Sequence, residues 1–251
     1  MKPELVERLN QINRAFYATF AASFSESRSE SARELEVILP YIADGARVLD
    51  IGCGNGRVAA LLGRKRRDVV YVGVDASAEQ ISNFKFHISK SQGLDATFFV
   101  ADITQPDWIR FSFPPSEIGI GSGMGAFDCV LMLAVLHHIP GGDLRTHIMR
   151  QAHELLAPQG CIVVSTWQFT DNERMQKKIV PWSVVGIDEH ELEPGDALLN
   201  WKRSGAGLRY CHWIGEDELG TLAAQAGLNV IGVFRAGGRE DNLSLYAVLA
   251  K

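Results

Sequence analysis

Apolar residues fall along this chain in two alternating rhythms. Leu5, Leu9, Ile12, Phe16 and Phe20 recur at helical spacing and predict a helix over 4–24; Leu35, Ile38 and Leu39 predict a second over 29–43. Short continuous apolar runs come next. Val48–Leu49, Val69–Val74, Ala96–Val100, Phe127–Leu133 and Cys161–Thr166 read as strands buried on both faces, the pattern of a parallel sheet. Helical stripes separate them. Ile81, Phe84 and Ile88 follow the second strand; Met149, Leu155 and Leu156 mark the helix after the fourth, with a Pro/Gly stop at residues 157–160. Glu216–Ala226 reads as a helix closed by Gly227, and Leu228–Phe234 and Leu243–Leu249 are expected to pair antiparallel at the sheet edge. The alternation predicts an α/β fold, a seven-stranded mostly parallel sheet with an antiparallel last strand and helices on both faces.

Three stretches break the rhythm. Residues 24–29 form a polar break between the first helices that carries Arg28. Residues 110–126, rich in Gly, Pro and Ser, read as a long loop. Residues 168–209 run from a charged helical piece (171–178) through an acidic loop (188–196) to Asn200-Trp201-Lys202-Arg203 and a Gly-rich turn, before the extended segment Leu208–Trp213. The expectation is one domain over 1–251, with a helical cap over 1–44 and a substrate lid inserted at 168–209.

The candidate chemistry sits where strands end. RVLDIGCGNG at 47–56 runs from a strand through Gly52, Gly54 and Gly56 into a helix, the arrangement by which α/β proteins bring backbone close to a nucleotide-like ligand. Arg57 occupies the slot where a pyrophosphate-binding G-x-G-x-x-G turn needs its last glycine. The run is instead G-x-G-x-G after an acid, which suits a ligand with an ammonium and no phosphates. It resembles motif I of class I S-adenosylmethionine (SAM) methyltransferases. Asp75 ends the second strand where an acid can meet ribose hydroxyls, and it also fits as a helix N-cap. Asp102 follows the third strand, placed to accept from an adenine amino group beside Ile103.

Charge and cysteine content narrow the class. The net charge of −5 excludes a protein that grips nucleic acid by bulk electrostatics, so an RNA substrate needs a local patch or a partner. Cys53, Cys129, Cys161 and Cys211 are scattered with no CxxC pair and read as small buried thiols, with no metal site expected. No apolar run is long enough to span a bilayer, and the first residues carry acids without an apolar signal region, which predicts a cytoplasmic protein with no membrane partner.

Five further stretches make the resemblance more specific: FSESR at 24–28, LDIGCGNG at 49–56, AVLHHI at 134–139, GD-x-L-x-x-W at 195–201 and RYCHW at 209–213. With Asp241-Asn242 they resemble the tRNA wobble-uridine carboxymethyl methyltransferases across nearly the whole chain. That resemblance implies a Rossmann-like class I methyltransferase fold, SAM as cofactor with S-adenosylhomocysteine as product, and a tRNA anticodon loop as substrate. It also implies a small zinc-binding activator protein as partner. Carried over by position, Asp50, Gly52, Cys53, Gly54, Asp75, Ala76, Asp102, Ile103 and Leu133 would hold SAM. Arg28, His138, Arg209, Tyr210 and His212 would line the substrate side. The chain departs from the family at Gln168, at Cys211 and in the long 110–126 loop.

A carboxylate is already ionised and needs capture rather than a base, which Arg supplies bidentately and His or Tyr by single hydrogen bonds. If the acceptor is a hydroxyl, His138 becomes a general base. Of the neighbours His137 and His138, one is expected to face the crevice. At most two of Trp167, Trp201, Tyr210 and Trp213 are expected to stack on a flipped base. A methyltransferase of a small carboxylic acid or hydroxyl compound is the alternative reading. The run Arg64–Arg67 reads as a solvated face.

Overall fold

Seven strands form the main sheet of the computed structural model, which describes residues 1–26, 35–65, 68–82, 94–106, 108–109, 127–202, 205–238 and 240–251. They are β1 (Arg47–Ile51), β2 (Val70–Asp75), β3 (Asp95–Val100), β4 (Phe127–Leu133), β5 (Leu156–Trp167), β9 (Asn229–Ala236) and β10 (Ser244–Ala250). Their order is β3-β2-β1-β4-β5-β10-β9, and β10 runs antiparallel to both neighbours. The connection order reverses between β1 and β4, and at such a switch point the carboxyl ends of the strands open a crevice.

Alternation along the central strands explains the layers. Leu49, Val72, Val130 and Ile162 point to one face, buried with residues of α3 (Gly142–Leu155) and α5 (Glu216–Gln225). Val48, Tyr71, Leu131 and Val163 point to the other, against α2 (Arg57–Lys65) and the apolar side chains of residues 35–46. The remaining helices are α1 (Pro3–Glu26) and the short α4 (Glu173–Gln176). Among the described residues no helix is long and apolar enough to cross a membrane, and all four cysteines are free thiols.

Three expectations are corrected. Of the second helix expected over 29–43, residues 29–34 lie outside the described part. Of the rest, Leu35 and Glu36 are helical, and a turn and a single 3-10 turn, Leu39–Tyr41, follow. Pro40 explains the break, since its ring clashes with the carbonyl four residues back. The Pro/Gly stop at 157–160 does not end α3. That helix closes at Leu155 and β5 is already extended from Leu156, its register with β4 shifting between Phe127 and Cys129. A Cβ on Gly160 would lie 2.9 Å from the Asp128 carbonyl, so the glycine serves the close approach of two strands. The 168–209 segment does have a rhythm. It contributes β6 (Ile179–Val180) and β7 (Asp196–Trp201), which join β8 (Gly207–His212) in a second, antiparallel sheet.

Helix α1 lies against that small sheet. Phe16 is buried with Trp201 and Cys211, and Leu5 and Leu9 with Leu198 and Tyr210. Phe84, Ile88, Arg66, Arg67 and the 110–126 loop lie outside the described residues.

Candidate active site

At the switch point β1 enters a turn that only glycine can make in this form. Gly52 has φ +73°, and a Cβ there would sit 2.4 Å from Val135 Cγ2. Asp75, at the tip of β2, fastens the turn. Its Oδ2 accepts from the Gly54 N–H and its Oδ1 from the Ser77 N–H, both at 2.8 Å. The helix cap falls instead to Ser77, whose hydroxyl accepts from the Gln80 N–H at 3.3 Å, while the Asp75 carboxylate holds the turn before it and borders the crevice. Asp102 accepts from the Thr104 N–H at 2.9 Å and its hydroxyl at 2.6 Å, and from Arg14 of α1 at 3.4 Å.

Asp50, Asp75 and Asp102 line one cavity of about 870 Å³, together with Gly52, Cys53, Gly54, Ala76, Ile103 and Leu133. Three neighbouring strand tips thus converge as their spacing predicts. Burial pushes the Asp50 carboxyl up to about 7, Asp75 adds to the rise, and the Tyr71 hydroxyl, donating at 2.5 Å, pulls it back. Burial raises Asp75 as well, against the two N–H donors.

The opposite wall begins with strain. Ala134, directly after β4, has φ +59°, with its N–H held by the Ser165 carbonyl and hydroxyl, both at 3.0 Å. The bend feeds the 3-10 turn Leu136–His138 and sends the two histidines different ways. His137 is fully buried, its Nδ1 accepting from the Trp167 N–H at 3.4 Å. His138 borders the cavity. Its Nε2 lies 3.0 Å from the Tyr17 hydroxyl and its Nδ1 3.1 Å from the Tyr210 carbonyl. Asn13 secures both neighbours, donating to the His138 carbonyl at 2.9 Å and accepting from the Tyr210 N–H at 2.8 Å.

Arg209 also borders the cavity, almost fully buried inside a collar of rings. Its guanidinium carbon lies 4.6 Å from the Trp167 centroid, 5.1 Å from Phe16 and 5.8 Å from Trp201. Lys178 lies 5.8 Å from the Trp201 ring; burial lowers its pKa, and so do Arg209 and Arg174. The cavity is polarised. Its lining acids, Asp50, Asp75, Glu79 and Asp102, gather at the strand tips, where Arg57 and the Asp102-paired Arg14 also stand, whereas from the small-sheet side only cations, Arg174, Lys178 and Arg209, face it among the described residues.

Tyr210 and His212 do not line the cavity, contrary to the assignment by position. Alternate residues of a strand face opposite sides. Because Arg209 and Cys211 face the cavity side of β8, Tyr210 and His212 face away from it. There the Tyr210 hydroxyl donates to Asp196 at 2.7 Å, and His212 bridges Asp196 at 2.6 Å and Glu218 at 3.0 Å. Arg145 of α3 completes the cluster, 2.7 Å from Glu193 and 3.2 Å from Glu218. Burial works to lower the His212 pKa, but the Asp196 and Glu218 bonds outweigh it and the net shift is upward. Of the four candidate stacking aromatics, Trp167 and Trp201 reach the cavity, and Arg209 already covers part of each. Arg28 lies outside the described residues. Asn13, Arg14 and Tyr17 escaped the sequence reading, although Asn10, Asn13 and Tyr17 form a polar stripe at spacings of three and four beside the helix's apolar one.

The residues at the strand tips fit a SAM-type ligand. A left-handed glycine turn leaves room where a Cβ would collide, and the carboxylates that line the cavity beside it are the groups that an ammonium and sugar hydroxyls call for.

Comparison with known proteins agrees with that fit. Residues 24–233 match a family described as a methyltransferase domain. The 27-O-demethylrifamycin SV methyltransferase of Amycolatopsis mediterranei is 27% identical over 209 residues, 78% of this chain and 70% of that one. The tRNA (carboxymethyluridine(34)-5-O)-methyltransferase ALKBH8 of Mus musculus is 23% identical over 161 residues, 64% of this chain and 20% of that one. Among solved structures, the Burkholderia thailandensis 1,6-didemethyltoxoflavin-N1-methyltransferase, with S-adenosylhomocysteine bound, superposes with a TM-score of 0.64. That match covers 98% of this chain and 89% of the other at 16% identity, a likeness of fold.

Proposed function

The chain belongs to the methyltransferase-domain family and is a class I SAM-dependent methyltransferase; from that premise we propose that it methylates the carboxylate of a modified wobble uridine in tRNA. The observation that carries this reading is the polarised cavity. Acids gather where the cofactor's ammonium and sugar belong, and Arg209, Lys178 and Arg174 face the acceptor side. A planar ring bearing a carboxylate matches a wall of Trp167 and Trp201 with a guanidinium set between them.

Asp50 would receive the ammonium, Asp75 the ribose hydroxyls and Asp102 the adenine amino group, with Gly52, Cys53, Gly54, Ala76, Ile103 and Leu133 shaping the cleft. Bound SAM supplies a methyl on a positively charged sulfur, which a carboxylate displaces in line once held in place. This chain's part is capture and alignment. Arg209 takes the anion, and His138 and Tyr17 orient it. Tyr210 and His212 act from the back of β8 by holding that strand. Helix α1 and the small sheet serve as the cap and lid of a single domain. A zinc-binding activator belongs to this reading as a partner for the tRNA body, since the chain's own charge is −5.

That same charge, and the longer match to the rifamycin methyltransferase, favour a second reading: a small carboxylic acid or hydroxyl compound as acceptor. Mass spectrometry of bulk tRNA nucleosides from cells with and without the gene separates the two. Loss of a methyl-esterified wobble uridine on deletion supports the first, and an unchanged nucleoside profile refutes it.

A further inference from the structure

The hydrogen bonds around His138 fix where its proton sits. Nδ1 lies 3.1 Å from the Tyr210 carbonyl, which can only accept, and 3.5 Å from the Cys211 sulfur, a weak donor; the closer and stronger partner decides, so Nδ1 carries the hydrogen. In the neutral ring Nε2 is then a bare acceptor, and the Tyr17 hydroxyl, 3.0 Å away, donates to it. With its hydrogen turned to His138, Tyr17 meets the cavity with oxygen lone pairs, which repel a carboxylate. The pair offers a carboxylate a donor in one way only: Nε2 gains a proton, donates to Tyr17, and Tyr17 turns its own hydrogen outward.

We propose that a carboxylate entering beside Tyr17 is bound together with one proton, taken from solvent and lodged on His138 Nε2, while Tyr17 reverses its hydroxyl to donate to the anion. Tyr17 is thus the residue that touches the acceptor group, and His138 acts through it. The proposal rests on the carboxylate reading above and deepens it.

The surroundings make the two events depend on each other. Among the described residues, the titratable groups that face His138 are Tyr17 from α1, the adjoining His137 with ring centroids 4.3 Å apart, and Cys211 from β8, whose sulfur is 3.5 Å from Nδ1. Arg209, fixed in its ring collar, shares the wall. An imidazolium beside that guanidinium is opposed while the cavity lacks an anion and favoured once an anion lies between them. A hydroxyl acceptor needs the reverse: it would give its proton to the pair, so turnover would rise with pH.

The test is nitrogen NMR of the histidine-labelled protein, with seven histidines to resolve and His138 assigned by its loss in His138→Gln. At about pH 8, above the ordinary histidine range, the free enzyme should show His138 as the Nδ1–H tautomer. Adding 5-carboxymethyluridine with S-adenosylhomocysteine should convert it to imidazolium. Calorimetry of that binding in two buffers of different ionisation heat should show uptake approaching about one proton. Tyr17→Phe should cut the uptake several-fold and leave cofactor affinity unchanged. An Nε2–H tautomer in the free enzyme overturns the proposal, and so does carboxylate binding without proton uptake. If 5-carboxymethyluridine does not bind but concentrated acetate still brings a proton onto His138, the tRNA reading fails and the proton-linked pair stands. If neither ligand protonates His138, the pair is refuted.

Discussion

Replacing Tyr71 by Phe isolates the electrostatics of the cofactor site, because it removes one oxygen and leaves the buried ring in place. In the native protein that hydroxyl donates to Asp50 Oδ2 at 2.5 Å, and the carboxyl sits at about 7. A hydrogen bond to a charged group is worth about 1.5–3 kcal/mol, or roughly 1–2 pH units at 1.36 kcal/mol each. Losing it should move Asp50 to about 8–9, so that at pH 7 the ionised fraction drops from about one half to roughly 1–10%. If Asp50 must be ionised to receive the ammonium, SAM affinity at pH 7 should fall by about 5- to 50-fold. The ratio of wild-type to variant affinity should narrow to within about twofold by pH 9, the ligand's own amino titration cancelling in the ratio. Wild-type affinity should itself weaken below about pH 7, by up to about tenfold per unit. Isothermal titration of S-adenosylhomocysteine between about pH 6 and 9 reads all of this, with thermal melting as the check on folding. Equal affinity at every pH, or the same loss at every pH, would refute the role given to Asp50.

Three other outcomes are expected. Gly52→Ala places a Cβ 2.4 Å from Val135 in a left-handed conformation that costs an L-residue about 1–2 kcal/mol, so cofactor affinity should drop at least about fivefold; Val135→Ala in the same chain should recover part of it, measured by the same titration. Arg209→Gln should leave cofactor affinity within about twofold but slow methyl transfer to a carboxylate acceptor by about 10- to 150-fold, the worth of one charged hydrogen bond, read by radiolabel transfer. The raised pKa of His212 means that its stabilisation is complete below the ordinary value of 6.5 and is lost as pH rises through the higher folded value. The urea midpoint should therefore decline on the alkaline side. Asp50 acts with the same sign, so Glu218→Gln, which flattens only the His212 part, assigns it.

The cofactor half of the site was legible because it is local. A strand, an acid and a glycine turn are contiguous in RVLDIGCGNG, and Asp75 and Asp102 close neighbouring apolar runs. The acceptor half was less so. Its parts come from α1, the turn after β4 and a sheet whose strands are too short or too mixed to show a period. Arg145 and Glu193 are 48 residues apart and meet only through the fold. Two signals were available. Strict alternation along RYCHW forbids Arg209 and Tyr210 from sharing a face, and the stripe Asn10-Asn13-Tyr17 runs as a second, polar line beside the apolar one on α1, where Asn10 and Asn13 are buried. The beginning of β5 was masked by Pro158 and Gly160, residues that end helices but also suit the bulged beginning of a strand.

Strand β8 is keyed from behind. Sliding it by a single position against β7 would turn Tyr210 and His212 toward the cavity, strip buried Asp196 of both its partners and pull Arg209 out of its collar of rings. The ionic cluster thereby polices the register of the cavity side without bordering the cavity itself. Selection on turnover must then also preserve residues on the far side of the strand, and damage to Glu193 or Glu218 should surface as lost activity even though neither borders the cavity.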